Sequence, residues 1–154
     1  MTTAYSLRDV EVGDIEWLYE LNEDSYRDVI IRQFGEWDEN FQRQWFEKKW
    51  DGRRPAKVLM IKGEPAGVFV LQRRADHDWL DEILIGPDFR DRGIGTAVMW
   101  DLIADARVRE RRLRLRVLTK NYDAKRFYER LGFQVFEKLE QHYVMEITPS
   151  LTGG

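Results

Sequence analysis

The stretch Ile83-Leu84-Ile85-Gly86-Pro87-Asp88-Phe89-Arg90-Asp91-Arg92-Gly93-Ile94-Gly95-Thr96 constrains this chain more than any other. An apolar run with strand character meets a turn set by Pro87, and a glycine-spaced loop then opens directly into a helix. Such an order gathers backbone N–H groups and a helix N-terminus around one concavity, which is the physical recipe for holding a phosphate. Arg90 and Arg92 bring cationic side chains to the same place. A strand, a tight turn and a helix in succession also point to an α/β or α+β fold.

Composition narrows the classes. The 154 residues suit one domain, taken as residues 1–148 with 149–154 as a flexible tail. A net charge of -3 argues against a general nucleic-acid binder, which would carry a basic excess. With no cysteine, thiolate metal sites and a cysteine nucleophile are excluded. The two histidines, His77 and His142, are too few and too separated for a histidine metal site, so no metal is expected. No apolar run is long enough to span a membrane, and Met1 to Ser6 lack signal-peptide features; the expectation is a cytoplasmic protein without membrane partners.

Periodicity supplies the elements. Tyr5 to Leu7 start a short strand. Asp14 caps a helix through about Tyr26, with Ile15, Leu18, Tyr19 and Leu21 as its apolar stripe. A second helix runs from Asp38 to Trp50 and ends at Asp51-Gly52-Arg53-Arg54-Pro55. Lys57 to Lys62 and Ala66 to Gln72, separated by Gly63-Glu64-Pro65, read as a hairpin, and Trp79 to Ile85 as the next strand. Beyond the glycine loop, Ala97, Val98, Leu102, Ile103 and Ala106 line a helix. Leu113 to Leu118 alternate as a strand, implying a parallel crossover. Asn121 caps a further helix that stops at Gly132. Gln134 to Phe136 and His142 to Ile147 close the chain. The arginines at 107, 109, 111, 112, 114 and 116 interleave with Asp101, Asp105 and Glu110, and read as solvated faces.

Three kinds of glycine loop bind phosphates. The phosphate-binding loop of nucleotide hydrolases needs a Gly-Lys-Ser/Thr ending that is absent here. A dinucleotide fold needs a third glycine where Val98 stands, and an acid about twenty positions on, where Leu113 to Arg116 supply none. The third kind fits. Arg90-Asp91-Arg92-Gly93-Ile94-Gly95 matches the pattern Gln/Arg-x-x-Gly-x-Gly/Ala. Downstream, Asn121-Tyr122-Asp123-Ala124-Lys125-Arg126-Phe127-Tyr128-Glu129-Arg130-Leu131-Gly132-Phe133 matches Asn-x-x-Ala-x-x-x-Tyr-x-x-x-Gly-Phe. Together these resemble the GNAT superfamily of N-acetyltransferases, specifically from about Trp79 to Phe136.

That resemblance implies a mixed, mostly antiparallel sheet of about seven strands flanked by helices, with parallel strands splayed around the cofactor. It also implies acetyl-coenzyme A and transfer of its acetyl group to the primary amine of a small molecule or peptide. On this reading Ile83, Leu84 and Ile85 offer backbone groups to pantetheine. Arg90, Asp91, Arg92, Gly93, Ile94, Gly95 and Thr96 hold the pyrophosphate, and Asn121, Ala124 and Tyr128 also touch the cofactor. Tyr128 resembles the family's general acid. Some members place a glutamate base five residues before the asparagine; here that position is Arg116, so Glu82, on the strand before the loop, becomes the expected base, with a water relay open. Neutralising a lysine-like amine at pH 7 costs roughly 4.6 kcal/mol, which is why a base matters.

Tyr26, Arg27, Trp37, Glu82, His142 and Tyr143 are the expected acceptor-site residues, with Arg27 able to meet an anion on the acceptor. Core or interface packing is the competing reading for the aromatics. A homodimer is compatible with family habit. A non-catalytic acyl-coenzyme A sensor on the same fold is the alternative function, since fold alone does not separate the two.

Overall fold

The structure, a computed structural model, describes residues 4–149. Seven strands and four helices form where the periodicities change: β1 (Ser6–Asp9), α1 (Ile15–Phe34), α2 (Glu39–Lys49), β2 (Ala56–Ile61), β3 (Glu64–Arg73), β4 (His77–Ile85), α3 (Ile94–Val108), β5 (Arg112–Leu118), α4 (Tyr122–Leu131), β6 (Gln134–Lys138) and β7 (His142–Ile147). The strands are hydrogen-bonded in the order β1-β2-β3-β4-β5-β7-β6. β2 pairs antiparallel with β1 and β3, and β7 with β5 and β6, whereas β4 and β5 run parallel. That parallel ladder extends from His77↔Arg112 to Leu80↔Leu115, and each strand then continues, β4 to Ile85 and β5 to Leu118. The expected mixed, mostly antiparallel sheet is therefore present. Of the expected tail, residues 150–154 lie outside those described, as do residues 1–3.

Two compact units divide the chain, one taking residues up to Val70 together with Glu82–Gly95, the other Leu71–Asp81 and Thr96 onward. In the first, Leu18, Tyr19 and Leu21 of α1 and Phe46 of α2 bury against Ala56, Val68, Val70 and Leu84. Tyr19 and Phe46 meet edge to face, ring centroids 5.2 Å apart. In the second, Val98, Met99, Ile103 and Ala106 of α3 are buried, as are Leu113, Leu115 and Val117 of β5 and Val144, Met145 and Ile147 of β7.

Several boundaries differ from the sequence reading, those of α1 and β3 among them. α1 continues eight residues past Tyr26 and ends at Gly35, whose φ of 95° supplies the left-handed cap. The β-branched run Val29-Ile30-Ile31 disfavours helix intrinsically, but burial of Val29 overrides that small propensity. The hairpin turns on Lys62 and Gly63, with φ of 50° and 81°, so Glu64 and Pro65 belong to β3.

The arginine run is not simply a solvated face. Asp78 on β4, its side chain 1 % exposed, is paired with Arg109, with Arg111 at 2.7 Å and with Arg73 at 3.4 Å. Burial alone would raise its pKa, but the hydrogen bonds from Arg109 and Arg111 outweigh this and hold it below the usual carboxylate value.

Gly67 on β3 fixes the approach of β4. A Cβ added there would lie 2.3 Å from the Leu84 carbonyl oxygen, a backbone atom with little freedom to withdraw. Gly67→Ala is expected to destabilise the fold by about 3 kcal/mol, read as a lower midpoint in urea unfolding.

Candidate functional site

The first unit contributes the end of β4 and the loop behind it. Burial alternates along β4, so Leu80, Glu82 and Leu84 point inward while Asp81, Ile83 and Ile85 are half-buried. Backbone groups alternate as well. The Gly86 N–H donates to the Ala66 carbonyl at 2.7 Å, and the Leu84 carbonyl lies over Gly67, so the even-numbered residues face β3. Ile83 and Ile85 therefore present their backbone groups on the edge away from β3. Of the three residues expected to meet pantetheine, Leu84 is directed to β3 and the core, leaving Ile83 and Ile85.

After a 3-10 turn at Pro87–Phe89 the chain passes through Asp91 and Gly93, with φ of 61° and 76°, into α3. The first N–H groups of a helix have no acceptor within it. α1, α2 and α4 carry an acid in the first turn, Glu16, Glu39 and Asp123 respectively; α3 carries none. Its positive end is thus left for an external anion. A Cβ on Gly93 would meet nothing within 4 Å, and one on Gly95 only Ile85 Cγ1 at 3.8 Å, so the glycine backbone is open to close approach. This geometry suits a pyrophosphate.

Arg90 plays a different part from the one expected. Its Nε donates to the Ile85 carbonyl at 3.0 Å, and the guanidinium pairs with Asp24 at 2.6 Å and Ser25 Oγ at 3.3 Å on α1. It ties the loop to α1 and to the end of β4. Arg92 is exposed, its guanidinium carbon 5.5 Å from the Phe89 ring centroid, and is the loop's more available cation.

Glu82 also departs from expectation. Its side chain is 2 % exposed and accepts from Lys49 at 3.1 Å and Arg54 at 2.5 Å, one cation on each oxygen. Arg54 in turn lies over the Trp50 ring at 4.6 Å. With one cation on each oxygen, Glu82 anchors β4 to the end of α2 and has no carboxylate oxygen left unpaired.

Among the expected acceptor residues of this unit, Tyr26 packs half-buried on the core cluster. Arg27 is exposed and paired with Glu23 at 2.8 Å on its own helix. The Trp37 indole N–H donates to Glu39 at 2.9 Å, and Glu39 also accepts from the Tyr19 hydroxyl at 2.5 Å. Burial, and then Glu39, push the Tyr19 phenol up to about 12. Those two hydrogen bonds, followed by the fields of Arg27 and Arg43, hold Glu39 below its usual value. No pattern in the sequence singles out Glu39 as this convergence point.

In the second unit, the Asn121 side chain caps α4 by accepting from the Ala124 N–H at 3.3 Å. Tyr128 is half-buried between Phe127 and Phe133, ring centroids 5.2 and 5.7 Å away. Its hydroxyl has no hydrogen-bond partner among the described residues, and burial pushes the phenol up to about 12. His142 and Tyr143, expected in one pocket, point to opposite faces of the sheet, as adjacent strand residues must. Lys125 and Lys138 lie 5.2 and 5.8 Å from the Tyr143 ring centroid.

The fold and the anion-ready loop define a class that the comparisons make specific. The pattern of the acetyltransferase (GNAT) family matches residues 15–133. An uncharacterized N-acetyltransferase of Methanocaldococcus jannaschii is 33% identical over 151 residues, a match covering 85% of this chain and 61% of that protein. The chain thus spans about three fifths of that relative's length. The crystal structure of the PaiA N-acetyltransferase from Thermoplasma acidophilum, in complex with coenzyme A, superposes with a TM-score of 0.75 at 18% identity, covering 94% of this chain and 99% of that one. An acetyltransferase from Thermus thermophilus gives a TM-score of 0.68 at 25% identity, covering 95% and 97%. The chain belongs to the GNAT acetyltransferase family, whose acetyl donor is acetyl-coenzyme A. No helix of the described residues is long and apolar enough to cross a membrane.

Proposed function

We propose that this protein is an N-acetyltransferase moving an acetyl group from acetyl-coenzyme A to a primary amine of a small molecule or peptide, by direct attack in a ternary complex. The observation that carries this is the α3 N-terminus, with open glycines before and within it and no acid in its first turn. Acetyl-coenzyme A supplies an acetyl group activated as a thioester. The amides of Arg92 to Thr96, with the Arg92 side chain, hold its pyrophosphate; Ile83 and Ile85 present the strand edge to its pantetheine; Asn121 and Ala124 support the cofactor from α4. We read residues 1–148 as one domain, since a single family pattern spans most of them, and place the protein in the cytoplasm.

Tyr128 is the proton donor of this scheme. At about 12 it stays protonated throughout the neutral range. The hydroxyl therefore acts foremost by hydrogen-bonding the departing thiolate, yielding its proton as that group leaves. On the acceptor side, Arg27, with Trp37 near Glu39, forms the charged part of the proposed amine-binding surface.

Purified protein incubated with acetyl-coenzyme A and a panel of amines, amino acids, polyamines and peptides is expected to release free thiol only when a suitable amine is present. Tight binding of acetyl-coenzyme A without thiol release from any panel member would point to an acyl-coenzyme A sensor instead.

A further inference from the structure

We infer that His142 is a catalytic base of this reaction, taking the proton that the acceptor amine sheds as it attacks. The inference rests on the acetyl-transfer reading above. Its support is the register of β5 and β7, which pairs Leu118 with His142, Arg116 with Val144 and Arg114 with Glu146. Directly opposed residues share a face, so Arg114, Arg116, Leu118, His142 and Glu146 lie on one side of the sheet. Glu146 on this face is satisfied by Arg114 at 2.9 Å. The half-buried imidazole of His142 has no hydrogen-bond partner among the described residues.

Position strengthens the case. His142 lies opposite the last residue of β5, and the carbonyl of that residue, Leu118, accepts from the Asn121 N–H at 2.9 Å. The Thr119 N–H donates to the Gln141 carbonyl at 3.0 Å, closing the same corner. Asn121 begins the helix that carries Tyr128. That helix meets the other face of the sheet, where Lys125 lies over Tyr143. His142 and the helix that carries Tyr128 thus lie on opposite faces of the sheet, and a base distinct from the tyrosine is available beside the end of β5.

The protonation state suits the role. Burial, and then the Arg116 cation, push the imidazole below its ordinary 6.5, so it is neutral and able to accept at pH 7. Arg116 is the charge that faces it from β5. On the β6 side its backbone neighbour is Leu139, whose N–H donates to the His142 carbonyl. Lys125 and Lys138 are over Tyr143 on the far face, while Lys120 and Glu140 are the nearby charges of the flanking loops. In the step, the amine nitrogen bonds to the thioester carbonyl carbon and the C–S bond breaks. The imidazole takes a proton from that nitrogen, directly or through a water, and the sulfur leaves as a thiolate that gains its proton from Tyr128 or solvent.

The test uses the full chain. Histidine-detected NMR follows His142 against pH and added acetyl-coenzyme A, with His77, paired with Asp76 at 2.7 Å, as the internal control. The His142 signal is expected to titrate below 6.5 and to shift with acetyl-coenzyme A, whereas added acetyl-coenzyme A is expected to leave the His77 signal in place. With the best amine of the panel, His142→Gln is expected to lower kcat about tenfold or more, leave the KM for acetyl-coenzyme A within about twofold, and remove the acid limb of the kcat–pH profile. Arg116→Gln, at an exposed position, should move that limb to higher pH, because without the cation the imidazole binds its proton more readily. A His142 signal blind to acetyl-coenzyme A, or a His142→Gln enzyme with unchanged kcat and limb, overturns the inference. Wild-type protein that neither binds acetyl-coenzyme A nor releases thiol overturns the functional reading as well, whereas an active wild type with an equally active His142→Gln variant overturns the base alone.

Discussion

Tyr128→Phe is expected to lower kcat by 10²-fold or more while leaving acetyl-coenzyme A affinity within about threefold. The substitution removes one oxygen and keeps the ring, so the edge contacts with Phe127 and Phe133 persist and the α4 packing is preserved. Because the hydroxyl has no partner among the described residues, its loss leaves no stranded donor or acceptor within the protein. Stability should be unchanged or slightly higher, which separates this variant from one that merely misfolds. The phenol at about 12 predicts a second signature. A donor with so high a pKa remains protonated, so the wild-type profile should show no alkaline limb attributable to it below about pH 10. Stopped thiol-release assays across pH, with Kd for acetyl-coenzyme A measured separately, read both quantities. Unchanged kcat in Tyr128→Phe would reduce the tyrosine to a packing residue.

Much of this arrangement could be read from the sequence because its cues are local. The glycine loop, the Asn121 cap and Gly132 at the end of α4 depend on neighbours within a few positions, and they appear where the sequence placed them. Strand identity along β5 follows from alternation alone. The extension of α1 was less legible, since Val29-Ile30-Ile31 resembles a strand until its burial is known. The site's charge pairing was not legible at all. Glu82 gains its partners from 33 and 28 residues away, and Arg90 reaches 65 residues back to Ser25. Nothing in a linear pattern specifies which carboxylate a distant cation meets, so an acid on the right strand looked like a base. His142 and Arg116 illustrate the same limit from the other side. Their common face follows from strand register, a long-range property that alternation within one strand cannot supply.

Gly93→Glu is expected to raise the Kd for acetyl-coenzyme A by more than 10²-fold while the fold survives. Two effects act at this position, and a second variant separates them. Gly93 has a φ of 76°, so any side chain strains the loop by about 1 kcal/mol. Space is not the obstacle, because a Cβ there would meet no atom within 4 Å. Gly93→Ala therefore reports strain together with a methyl group placed before the proposed phosphate site, and should weaken binding about tenfold. Gly93→Glu adds a carboxylate at the N-terminus of α3. That position favours an anion through the helix dipole, so the side chain competes for the first-turn amides as well as repelling the pyrophosphate. The same interaction should return part of the stability lost to strain, leaving Gly93→Glu at least as resistant to heat as Gly93→Ala in the absence of ligand. Raised salt should recover some binding in Gly93→Glu and none in Gly93→Ala, since only the former suffers charge repulsion. Calorimetric titration with acetyl-coenzyme A at two ionic strengths, beside thermal unfolding of both variants, measures each term. Equal affinities for Gly93→Glu and wild type would show that the α3 N-terminus is not where the pyrophosphate binds.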